Sequence, residues 1–313
     1  MKRLFGCGDA RLKSQNSGES VMAKATTGKQ LISAAWAALK QDKELMVLPV
    51  LGGVFSAIAV GLITGIGWVA GAFTSMAASS SSGSTTNINP IAYMTAALVA
   101  YVSTTIALFF QAAVISGAMQ RLDGGNPTIG SSLSAASKKL GPIMLWALIA
   151  TTVGLILRAL SERGGIFSKI ASALAGMAWA VATFFVLPIV IFEGTNSFAA
   201  VKRSGQLISQ RWGSVARTNI RFGFQVFLAV AASIGAIVWG IGLAISSSQS
   251  GTGLSPAVGS VIALFGVVAL TAIIVITNAL SGYVRAVLYR HAVGKPVPGV
   301  SQEILAGAFP MKS

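Results

Sequence analysis

Long apolar runs alternate with short polar stretches along the chain, and the runs have the length of membrane crossings. A hydrocarbon core of about 30 Å takes about 20 helical residues. Six runs reach it: Leu45–Phe73, Ile91–Met119, Pro142–Leu160, Ile170–Phe192, Phe222–Ile245 and Ala257–Val284. No Asp, Glu, Lys or Arg interrupts them except Arg158, in the last turn of the third. The first and sixth exceed the minimum, so they tilt, kink or protrude.

The polar stretches carry a helical pattern of their own. Within Glu193–Arg221, Phe198, Val201, Gly205, Ile208 and Trp212 recur at the spacing of one helix face, while Lys202, Arg203, Gln206, Ser209 and Gln210 fall away from it. This predicts a basic amphipathic helix at a membrane surface, feeding the fifth span. Ile129, Leu133, Ala136 and Leu140, with Lys138 and Lys139, form a weaker copy before the third span. Ile32, Trp36 and Leu39, followed by Lys40-Gln41-Asp42-Lys43-Glu44, form another before the first. Asp123-Gly124-x-Asn126 recurs as Glu193-Gly194-x-Asn196. The unit predicted from these copies is surface helix, span, outer loop, span, used three times. The fold class is therefore all-α: a polytopic bundle of about six spans, with basic amphipathic surface helices before spans 1, 3 and 5.

Composition points the same way. Of the 313 residues 54% are hydrophobic and 10% charged, against about 25% charged in soluble domains. The net charge of +15 would suggest nucleic acid on a soluble protein. Here the bases lie between apolar runs, so anionic lipid headgroups are the expected counter-charge and nucleic acid is not. All 23 lysines and arginines except Arg158, Arg163 and Lys169 fall on the side of the N-terminus. The positive-inside rule then puts both termini in the cytoplasm. Residues 1–28 read as a disordered cytoplasmic tail, 29–295 as the membrane domain and 296–313 as a short cytoplasmic tail. Nothing before Met22 is periodic, so translation can start there as readily as at Met1. Thr74–Pro90 and Ser246–Pro256 are uncharged and rich in Ser, Gly and Thr, which predicts mobile outer caps.

Candidate chemistry is sparse. Ionisable groups inside spans mark transport or catalysis, but the mid-span polar groups are the neutral Gln111, Thr151, Thr152 and Asn278, read as interhelical hydrogen-bonding groups. The single Cys7 excludes an intrachain disulfide. His291 is the only histidine, so no zinc site and no histidine-dependent triad can be assembled from a cluster. No cofactor motif is present. Catalysis would need Glu193, Asp123 and His291 to converge. Glu193 reads instead as a helix-end carboxylate paired with Lys202, Arg203 or a base on another span, and Pro188 should kink the fourth span. Gly61-x-x-x-Gly65, Gly67-x-x-x-Gly71 and Gly240-x-x-x-Ala244 predict close helix packing.

The stretch Trp36-Ala-Ala-Leu-Lys40-Gln-Asp42-Lys-Glu44-Leu-Met-Val-Leu-Pro49 resembles an uncharacterised bacterial family of six-span membrane proteins. The similarity continues through Leu187-Pro188, Glu193-Gly194, Lys202-Arg203-Ser204 and Trp212-Gly213. It ends with Leu288-Tyr289-Arg290 and Val297-Pro298-Gly299 through Ala308-Phe309. More distantly the chain is similar to the membrane domain attached to some glycerophosphodiester phosphodiesterases, without their catalytic barrel. The resemblance implies a fold and a bacterial inner membrane, and no reaction.

The function expected is that of a non-enzymatic integral membrane protein. Its basic inner face, with Lys138, Lys139, Lys202, Arg203, Arg211 and Arg217 as the contact residues, would hold anionic lipid or a membrane or cytoplasmic protein partner. The alternative is a transporter of a small molecule or lipid, which repeated units and kinked spans allow.

Overall fold

The computed structural model describes residues 33, 35–37, 39–70, 90–211, 220–250 and 256–298, and among them there is no strand. The described helices are α1 (Lys43–Val69), α2 (Pro90–Leu122), α3 (Ile129–Ser137), α4 (Leu140–Arg163), α5 (Ile166–Ala182), α6 (Val186–Phe192), α7 (Ser197–Arg211), α8 (Ile220–Ser250) and α9 (Pro256–Ala292). Residues 35–37 and 39–41 are also helical. Six stretches are long and apolar enough to span a bilayer: Lys43–Val69, Pro90–Leu122, Leu140–Glu162, Ile166–Phe192, Val226–Ser246 and Ala257–Ala292. By length and composition the chain is a multi-pass membrane protein. The helical residues 35–37 and 39–41 and the short helices α3 and α7 precede the first, third and fifth of those stretches, respectively. The expected tail 1–28, the expected tail 296–313 from residue 299 on, most of the outer caps, and Trp212 lie outside the described residues.

The described residues group into two compact units. One holds 33–41, the end of α7 from Ser209, α8, and α9 as far as Val284; the other holds Asp42–Ile208 and Arg285–Lys295. In the first, α8 and α9 approach through small residues. A Cβ on Gly240 would come within 2.5 Å of the Ala263 nitrogen and 2.7 Å of the Gly259 carbonyl. The Gly240–Ala244 spacing therefore marks a close helix crossing, as small residues at spacing four do in lipid. Gly61 and Gly65 do not behave this way: nothing lies within 4 Å of where their Cβ would stand. Gly67 does pack, against Thr95.

In the second unit α2 is the central helix, touching α1, α3, α4 and α6. Burial is concentrated at one end. Ala112 to Met119 on α2, Ile143, Trp146 and Ala147 on α4, and Phe185 to Ile191 around α6 are all buried. This end also carries the turns after α2, α6 and α9, and is called the near end below. Toward the far end, Ile58, Leu62 and Ile66 on α1, and Ile170, Leu174 and Met177 on α5, are exposed. Helices α2 and α9, with 33 and 37 residues, are about 50 Å or more in length at 1.5 Å per residue. They exceed a hydrocarbon core of about 30 Å, so their ends can reach the interface.

The fourth expected span is broken, not merely kinked. Residues Thr183–Phe185 form a turn between α5 and α6. Pro188 has no N–H to give the Phe184 carbonyl, and its ring crowds that carbonyl. The chain responds upstream with tighter bonds: Phe184 N donates to the Val181 carbonyl (3.1 Å) and Val186 N to that of Thr183 (3.1 Å). The Phe185 N–H left over donates to Ser204 Oγ on α7 (3.1 Å). The sixth span is longer than its apolar run: α9 continues to Ala292 and takes Arg285 and Arg290 into its last turns.

Candidate functional site

The near end is built from three glycine turns. Gly124, Gly194 and Gly294 have φ of +84°, +66° and +79°, a region that costs other L-residues about 1–2 kcal/mol. The turns after α2 and α9 share one hydrogen-bond pattern. Asp123, Gly124 and Gly125 donate to the carbonyls of Met119, Arg121 and Gln120; Val293, Gly294 and Lys295 donate in the same order to Tyr289, His291 and Arg290. This is the left-handed helix stop in which glycine lets the chain turn back over the last carbonyls. The repeat read from Asp123-Gly124 and Glu193-Gly194 thus has a third member at Val293-Gly294, which its sequence disguises.

Charged side chains join these turns. Arg290 pairs with Asp123, and the neighbouring Tyr289 hydroxyl donates to Glu193 (3.0 Å), so consecutive residues of α9 hold the turns after α2 and α6. The Tyr289 ring stacks on Phe192 (5.9 Å between centroids). Arg203 on α7 lies 3.8 Å from the other Glu193 oxygen, which is the pairing expected of that carboxylate. On the opposite flank Arg121 pairs with the buried Asp42, its Nε donating to Asp42 Oδ2 at 2.5 Å. Glu44 accepts the Ile129 N–H at the start of α3 (3.0 Å), where a carboxylate meets the positive end of the helix. Thr128 and Ser131 close that helix start with a reciprocal capping box.

Hydroxyls fix α7. Its buried positions are Ser197, Ala200, Ser204 and Leu207, while Phe198 is 65% exposed. The side packed on the protein is thus one residue round from the apolar face through Phe198, Val201, Gly205 and Ile208. Ser197 Oγ donates to the Pro142 carbonyl (2.9 Å) and Ser204 Oγ accepts from Phe185 N. Two satisfied hydroxyls can be buried, and that leaves the large apolar side chain on the outer side. In α3 Ala136, on the expected face, is buried together with Ser132, while Leu140, at the start of α4, is 42% exposed.

The bases singled out from the sequence meet around the second turn. Lys139 Nζ lies 3.3 Å from where a Gly194 Cβ would stand, and Arg203 faces Glu193 from the other side. Lys138 and Lys202 are exposed next to them in sequence. Lys138, Lys139 and Lys202 form no ion pair among the described residues. The Arg211 side chain and all of Arg217 lie outside the described residues. Asp123 is engaged by Arg290 and Glu193 by Tyr289. Among the described residues no three His, Cys, Asp or Glu side chains gather as metal ligands.

One charge was not expected inside a helix packed against its neighbours. Arg285 donates through Nη1 to Gln111 Oε1 (3.0 Å) and lies over the Phe184 ring, 5.1 Å from its centroid. Its Nε is buried without a hydrogen-bond partner, and no carboxylate pairs with it among the described residues. Gln111 therefore makes the interhelical bond expected of it, to a cation.

No curated protein and no solved structure matches the chain. A family profile does match, over residues 91–297, from the start of α2 to just beyond the last glycine turn. The match takes in the three turns, α3, α7 and the arginines that bind them, and it covers more than half of the sequence: the chain belongs to the family of unknown function DUF6159.

Proposed function

We propose that this is a non-enzymatic multi-pass protein of the bacterial plasma membrane, with its near end in the cytoplasm and a basic surface there that binds anionic lipid headgroups. The observation that carries the reading is the excess of base around the Glu193–Gly194 turn. Lys139 and Arg203 flank it, Lys138 and Lys202 stand beside them, and Glu193 is shared between Arg203 and Tyr289. Each base near an anionic surface contributes about 1 kcal/mol of attraction. A cytoplasmic protein with an acidic face would use the same surface. The test is co-sedimentation of the purified protein in nanodiscs with phosphatidylglycerol vesicles, against phosphatidylcholine vesicles. The Lys202→Glu/Arg203→Glu variant is expected to lose the phosphatidylglycerol preference, and the preference is expected to fall with added salt. An unchanged preference in that variant contradicts the reading.

A second reading, transport of an anionic small molecule or lipid, is favoured by Arg285. A guanidinium stays charged in proteins, and a buried charge without a counter-charge is costly. A transported anion would supply the missing partner. Substrate-dependent uptake by cells that is lost in Arg285→Met, while the protein level stays unchanged, would select this reading.

A further inference from the structure

Beside α3 the second unit has an apolar groove of about 540 Å³. Its walls are Leu51 and Phe55 of α1 and Ile106, Phe109 and Phe110 of α2; Leu133 of α3 lines it as well. The aromatic wall is continuous: Phe110 lies 5.8 Å from Phe55 and 5.5 Å from Phe109, between ring centroids. The groove offers almost no polar group along its length. Thr105 lines it, but donates its hydroxyl to the Tyr101 carbonyl of its own helix (2.8 Å). The other polar lining is Ser134 and Ser137 of α3, the Ser137 hydroxyl donating to the Ser134 carbonyl (2.9 Å), and the exposed Lys138 follows directly in sequence. Phe55 and Leu140 are 56% and 42% exposed, so the groove is open to its surroundings.

The slot reaches about the middle of a bilayer. Leu51 and Phe55 lie about 12 and 18 Å along α1 from Lys43 at 1.5 Å per residue, and half of a hydrocarbon core is about 15 Å. A hydroxyl and lysine rim above an apolar slot of leaflet depth has the polarity profile of a glycerophospholipid. Lys138 makes no ion pair among the described residues, so the rim complements a negative headgroup.

We propose that this groove holds one acyl chain of an anionic phospholipid of the near-end leaflet, with the headgroup phosphate at Ser134, Ser137 and Lys138. The proposal rests on the anionic-lipid reading above and narrows it to a site. It makes α3 a lipid-contacting helix, with Leu133 against the chain and Lys138 at the headgroup.

The test uses the full chain in nanodiscs carrying a phosphatidylglycerol with a photoreactive diazirine in its acyl chain, with the phosphatidylcholine analogue as comparison. Cross-links are mapped by peptide mass spectrometry. With phosphatidylglycerol they should concentrate on residues 51–55, 105–110 and 133–140. Lys138→Gln should lower that labelling about fivefold, the worth of one base near the surface. Ile106→Trp, which fills the slot, should abolish labelling at those residues and leave labelling elsewhere intact. If it fails to fold, Ser134→Phe at the exposed rim serves the same purpose. Labelling spread evenly over the exposed helix faces overturns the proposal, as does labelling indifferent to both groove variants. If the groove fails while Lys202→Glu/Arg203→Glu still abolishes vesicle preference, only the site is wrong. If that variant also keeps its preference, the anionic-lipid reading falls with it.

Discussion

Ile115 on α2 and Ile66 on α1 belong to helices that pack together, yet the first is fully buried and the second 70% exposed. The difference runs through the whole second unit. At the near end, apolar side chains interlock and several polar ones are matched: Asp42 with Arg121, Asp123 with Arg290, Glu193 with Tyr289, Ser204 with a freed backbone N–H. At the far end the same helices present Leu62, Ile66, Ile170 and Leu174 outward. Lipid tails are as apolar as leucine, so such side chains gain little by packing on one another. Helix position is therefore fixed mainly where the chain meets polar surroundings, and the far halves need only be long and apolar.

The largest effect that sharpens this comparison is expected at Arg121. Arg121→Met leaves the Asp42 carboxylate, 3% exposed, buried without its cation, which typically costs about 3–5 kcal/mol. Thermal unfolding in detergent should show a large drop in midpoint. Adding Asp42→Asn should restore much of it, whereas independent contributions would simply add. Next comes a packing pair. Ile115→Ala at the near end should cost about 2–4 kcal/mol, while Ile66→Ala at the far end should stay within about 0.5 kcal/mol. Equal losses would break the comparison. Ser204→Ala should cost about 1–3 kcal/mol, because the Phe185 N–H is left buried without an acceptor; hydrogen exchange at Phe185 should quicken. The smallest effects are expected at the turns, where Gly124→Ala and Gly294→Ala should each cost about 1 kcal/mol through strain at positive φ.

The order of spans and surface helices was legible because lipid imposes a coarse rule on the sequence: about 20 apolar residues for each crossing. The bases around Glu193–Gly194 were legible because charge sorting acts along the chain. What escaped were most of the pairings and the exact faces. Asp42 and Arg121 stand 79 positions apart, and no local pattern links them. The side of α7 that packs on the protein was not legible, because periodicity marks only the apolar face, while Ser197 and Ser204 are held by hydrogen bonds to Pro142 and Phe185. The break before α6 was foreshadowed by Pro188, but its repair by Ser204 depends on a helix that comes later in the chain. The charge of Arg285 ends the apolar run and so puts the residue beyond the last span in the sequence, while the helix itself continues to Ala292.

The sidedness of the near end is the claim on which the functional reading turns. With the single Cys7 replaced by serine, cysteines are placed one at a time at Asn126 and Lys295 on the near-end turns and at Gly165 between α4 and α5. Intact cells are then treated with a membrane-impermeant maleimide. The expected result is labelling at position 165 in intact cells and at 126 and 295 only after the membrane is opened. Labelling of 126 or 295 from outside intact cells would contradict a cytoplasmic basic face.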